Sequence, residues 1–86
     1  MHVWVLETFT RNDCFCEYDS NIVAVYSKSS FKKAREHFKD LCLENTDDEY
    51  EIERWKNENG YHFSSKVNHY KGFEMNYVGL IKKELL

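Results

Sequence analysis

One stretch of this chain has the apolar spacing of a helix, and strand-like sequence flanks it on both sides. Phe31, Ala34, Phe38, Leu41 and Cys42 recur at i, i+3, i+7, i+10 and i+11, which at about 100° per residue draws a single apolar stripe. The spacing predicts a helix from Phe31 to Leu43. Ser27, Ser29 and Ser30 precede it, and a serine at the N-cap accepts a hydrogen bond from an N–H that the first turn leaves unpaired. Asn45-Thr46-Asp47-Asp48 ends it, with Asn45 a residue type suited to a left-handed cap. A lone helix must bury its stripe on something else, and the remaining segments offer only a sheet.

Those segments read as strands and turns. Val3-Trp4-Val5-Leu6 is β-branched and aromatic. Thr10 to Ser20 carries Arg11-Asn12-Asp13 and Asp19-Ser20-Asn21, turn-forming types that predict a loop. Ile22 to Tyr26 is an almost unbroken apolar run, as in a strand covered on both faces. These two strands are expected to pair antiparallel. After the helix, Tyr50 and Ile52 alternate with Glu49, Glu51 and Glu53, which predicts a strand with one acidic face. Asn59-Gly60 is a hairpin signal, and Tyr61, Phe63, Ser65 and Val67 share one face of the return strand. Lys71-Gly72 reads as a second turn, and Phe73, Met75 and Tyr77 alternate again, continuing through Val78, Leu80 and Ile81.

The order β-β-α-β-β-β predicts an α+β fold: a small two-layer domain, mainly an antiparallel sheet of four to five strands, with one amphipathic helix packed on it. A mixed sheet with the helix as a right-handed crossover is the alternative. No proline, linker or low-complexity run interrupts residues 1–86, so a single domain is expected. Two Trp, six Tyr and six Phe make an aromatic-rich core the natural expectation.

Charge is where the sequence speaks of function. Lys28, Lys32, Lys33, Arg35 and Lys39 are five of the twelve basic residues, and Glu36 is the only acid among them, in a chain of net charge −3. Lys32, Arg35 and Lys39 share a stripe beside the apolar one. A local cation cluster on an acidic background marks these five as the candidate site for an acidic or phosphate-bearing partner. An anion at this helix start would also gain from the dipole and the exposed N–H groups. Glu44, Asp47, Asp48, Glu49, Glu51, Glu53 and Glu58 form an acidic counterpart, answered locally by Arg54 and Lys56. The two windows either neutralise each other within a subunit or mate between subunits of a homodimer.

Other chemistries fare less well. Cys14-Phe15-Cys16 has no second ligand pair at zinc spacing, and Cys42 lies on the apolar stripe, so neither a metal nor a cofactor is expected. Three glycines cannot build a phosphate loop or a nucleophile elbow, which argues against an enzyme. No apolar run approaches the roughly 20 residues of a membrane span. The first residues lack the basic and small-residue marks of a secretory signal, and the odd cysteine count fits a reducing cytoplasm. Tyr61, Phe63 and Tyr70, near Lys66 and Lys71, are candidate base-stacking residues for single-stranded RNA. The competing role for these rings is the surface on which the helix packs.

Richness in Lys, Asn, Glu, Tyr and Phe, with no proline and three glycines, resembles the small accessory proteins of large virulent tailed phages. Val3-Trp4-Val5-Leu6, then Val25-Tyr26-Ser27 and a helix, is also similar to small bacterial and phage domains that begin strand–strand–helix. The resemblance implies a non-enzymatic protein of the host cytoplasm that binds and inhibits a host factor, such as a defence nuclease or a toxin, with RNA as a further partner. It supplies no site residues.

Overall fold

The two periodicities segregate into two layers. The computed structural model describes residues 1–69 and 72–85. Its strands are β1 (His2–Asn12), β2 (Glu17–Ser27), β3 (Glu51–Asn57), β4 (Gly60–His69) and β5 (Gly72–Glu84), with the helix α1 (Phe31–Glu44) after one short 3-10 turn. The sheet runs β2-β1-β5-β4-β3 and every neighbouring pair is antiparallel. This is the α+β two-layer fold that the pattern predicts, without the parallel crossover of the alternative. α1 carries the chain from β2 at one edge to β3 at the other.

The stripe of α1 faces the sheet as its spacing requires. Ala34 and Cys42 join Leu6 of β1, Phe63 of β4, and Val78 and Leu80 of β5 in the buried core. Trp4, Tyr26, Phe31, Phe38 and Tyr61 close around it. Leu6 pairs with Leu80, Tyr61 with Leu80, and Phe63 with Val78, so one phase of the period-two alternation supplies the whole buried face. α1 packs chiefly over β5, β1 and β2. That placement leaves β3 and part of β4 uncovered beside it.

Four local expectations change. Thr10 to Ser20 is mostly ladder rather than loop: Thr10 pairs with Asp19, Arg11 with Tyr18 and Asn12 with Glu17. Polar side chains sustain that end, with Arg11 Nε donating to Asp13 Oδ1 at 2.8 Å and the guanidinium 4.6 Å from the Phe73 ring centroid. The apolar run in β2 is not covered on both faces. β2 is an edge strand, and Ile22, Val23 and Val25 are 69%, 41% and 59% exposed. The hairpin between β3 and β4 turns at Glu58-Asn59, because Asn57 already pairs with Gly60. The caps of α1 also differ. Ser30 makes no side-chain cap bond, and the serines bond one another instead, Ser27 Oγ lying 3.1 Å from Ser29 Oγ. Asn45 (φ −103°) is not left-handed; its Nδ2 donates to the Leu41 carbonyl at 2.8 Å.

Among the described residues no second layer packs on the face away from α1, although Val5, Ile81 and His62 are buried within it. A Cβ on Gly79 would fall 2.4 Å from Tyr77 Oη, so the Tyr77 ring lies over that glycine and fills the place of its missing side chain.

A cationic groove between the helix and β3

Alternation along β3 sorts its charges by sign. Glu51, Glu53 and Trp55 fall on the open face, whereas Ile52, Arg54 and Lys56 pair with Ser65, Phe63 and Tyr61 on the helix side. There they meet the cations of α1. The Arg54 guanidinium lies 5.4 Å from the Phe63 ring centroid. Tyr61 receives two cations, the Arg35 guanidinium at 5.6 Å and Lys56 Nζ at 5.2 Å from its ring centroid. Such contacts over a ring face contribute about 0.5–1 kcal/mol each at exposed sites.

Between α1 and β3 lies a groove of about 320 Å³. Phe38, Cys42, Leu43 and Tyr61 form its apolar walls, and Arg35, Lys39 and Arg54 rim it. Among the described residues, none of Arg35, Lys39, Arg54 and Lys56 takes part in an ion pair. Like charges gathered in this way leave a positive potential that an incoming anion relieves. The groove combines that potential with exposed apolar surface, since Leu43 is 70% exposed.

The five predicted cations therefore divide. Arg35 and Lys39 line the groove. Lys28 lines a separate hollow beside Met1, His2 and Leu85. Lys32 and Lys33 stand exposed on the first turn of α1 and line neither. That turn carries no acid. Arg54 and Lys56, which the sequence alone sets as local neutralisers of the acidic window, stand instead on the groove side of β3. Their parity with Ile52, the inward residue of β3, was the available signal.

The stacking candidates divide too. Phe63 is 0% exposed and offers no face to a base. Tyr61 is half-buried between Arg35 and Lys56, and packs against Trp4, Phe31 and Phe38. Tyr70 lies outside the described residues. Two exposed aromatics stand on the open face: Tyr18, paired with Arg11, and Trp55, stacked on His62 with ring centroids 5.1 Å apart and planes at 10°.

His62 bridges that face to the β3–β4 turn. Its Nε2 lies 3.0 Å from Asn57 Oδ1 and its Nδ1 lies 2.7 Å from Tyr77 Oη. Asn57 Oδ1 only accepts, so Nε2 carries the proton and the Tyr77 hydroxyl donates to Nδ1. Burial holds the His62 pKa below its ordinary 6.5, with the Glu7 charge partly opposing. The unfolded chain then binds more protons as pH falls through the normal histidine range. His62 should therefore make the fold less stable as pH drops from about 7 through 6.5, until its lowered folded pKa is passed. Thermal unfolding at a series of pH values checks this: the wild type should lose Tm over that window relative to His62→Asn, and parallel curves would refute it.

Cys42 is buried, and burial pushes its thiol up to about 11; it behaves as a core residue. Cys14 is half-buried and Cys16 exposed. Among the described residues, no group of three or more His, Cys, Asp or Glu is arranged to hold a metal ion, and no helix is long and apolar enough to cross a membrane. The chain matches no protein-family model, no curated protein and no solved structure.

Proposed function

We propose that this chain is a non-catalytic interaction protein whose α1–β3 groove takes an acidic segment of a partner protein. The carrying observation is a set of four cations without ion-pair partners among the described residues: Arg35, Lys39 and Arg54 rim the apolar groove, and Lys56 joins them over the Tyr61 ring. An acidic peptide bearing an apolar anchor meets both halves of that chemistry, which a bare phosphate does not. The net charge of −3 also works against sequence-independent binding to nucleic acid, where affinity comes mainly from neutralising phosphates. The compositional likeness to phage accessory proteins adds a target class, a host nuclease or toxin held inactive in the host cytoplasm.

The alternative, single-stranded RNA stacked on the sheet, moves from Tyr61 and Phe63 to Trp55. Glu51 and Glu53 share that face with Trp55 and repel a phosphate backbone.

Capture from bacterial lysate, with and without RNase, separates the two readings. The wild type should retain an acidic protein after RNase treatment. Arg35→Glu/Lys39→Glu/Arg54→Glu should lose it while keeping the same circular-dichroism spectrum, since all three side chains are exposed. Equal retention by the variant would remove the groove from the interface. Loss of every partner with RNase would favour the RNA reading.

A further inference from the structure

The two edges of the sheet are built differently. β3 presents Glu51, Glu53, Arg54 and Lys56 along its length, the charged dressing by which natural sheets discourage further pairing. β2 carries no charge from Ser20 to Ser27 and exposes Ile22, Val23 and Val25 to solvent. Its charges lie at its ends: Glu17 and Asp19 at the start, Lys28 just past the finish. An antiparallel copy brings those opposite ends together.

We propose that the chain self-associates through β2, two copies pairing edge to edge about a two-fold axis to join their five-stranded sheets. The β-bulge in β2 identifies the partner. Leu6 pairs with Ala24 but Glu7 pairs with Ile22, so Val23 is an extra residue and the faces change phase there. Ile22 and Val25 consequently share the open face although three residues apart, opposite Glu7 and Val5. A regular strand laid along β2 falls out of phase on one side of Val23. A second copy of β2, bulged at the same step, stays in phase throughout. With the axis between Val23 and Ala24, Ile22 opposes the partner's Val25 and Val25 the partner's Ile22, gathering four exposed apolar side chains into one cluster. The same register sets Asp19 against the partner's Lys28, twice. Among the described residues, neither Asp19 nor Lys28 has an ion-pair partner within its own chain.

Sedimentation velocity over a concentration series tests the pairing on the full chain. The wild type should sediment as a dimer that dissociates on dilution. Val25→Lys should sediment as a monomer with an unchanged far-ultraviolet spectrum, because Val25 is already 59% exposed in the single chain. Asp19→Lys should weaken the dimer by setting like charges opposite each other, and Asp19→Lys/Lys28→Asp should restore it. A wild type that stays monomeric at every soluble concentration, including one that captures a foreign strand on β2 instead, would overturn the proposal. So would a dimer that survives Val25→Lys, or a charge swap that fails to restore it.

Discussion

Phe63→Ala should cost about 3–5 kcal/mol of folding stability, the range for truncating a fully buried aromatic. Among the described residues Phe63 is the largest fully buried side chain, at 0% exposure, and it packs in the core shared by α1, β1 and β5. Its neighbours Val78 and Leu80 belong to the central strand β5, whose backbone is fixed by β1 on one side and β4 on the other. The site therefore has little freedom to collapse, and the cavity persists. Native domains hold only about 5–15 kcal/mol in total, so the variant should be partly unfolded in modest urea. Urea unfolding followed by tryptophan fluorescence measures the loss. A cost below about 1 kcal/mol would place the ring near solvent, as a base-stacking role requires, and would contradict the core.

What the sequence makes legible follows from which interactions are local. The stripe on α1 and the alternation in β4 and β5 report burial directly, because each residue's face is set by its own backbone period. How many neighbours a strand has is not local. Ile22 to Tyr26 looks like an interior strand, yet β5, sixty residues away in places, takes the central position beside β1 and leaves β2 at the edge. Val5 pairs with Ile81 and Leu6 with Leu80 to make that so. The groove was half legible for the same reason. Arg35 and Lys39 could be placed by the helical wheel alone. Arg54 and Lys56 could be placed on the inward phase of β3, but only the sheet order puts that strand beside an uncovered flank of α1. The acidic face predicted for β3 holds, with Glu51 and Glu53 on one side of the sheet, but the two cations that read as their local neutralisers lie on the other.

Gly60→Ala should cost about 3 kcal/mol, the upper end of what a strained backbone position contributes, and more if Leu80 cannot shift. Gly60 has φ +145°, a region that L side chains rarely adopt. A Cβ there would lie 2.1 Å from the Leu80 carbonyl oxygen and 3.1 Å from the Ile81 Cα. Both are backbone atoms of the central strand, so no side chain can swing aside to make room. The same turn is tied down from two directions. Asn57 Oδ1 accepts from the Asn59 N–H at 2.9 Å and the Gly60 N–H at 3.2 Å. The Lys82 N–H donates to the Asn59 carbonyl at 2.8 Å. In a two-residue turn centred on Asn59-Gly60 both residues would need positive φ, but Cys16 is the only described non-glycine residue with one. Asn59→Ala should consequently be far cheaper than Gly60→Ala, as an exposed turn side chain with no special backbone to hold. Paired urea titrations of the two variants decide it. Equal and large losses would mean that Asn59 bears the strained conformation and that the hairpin turns one residue later than the ladder between β3 and β4 requires.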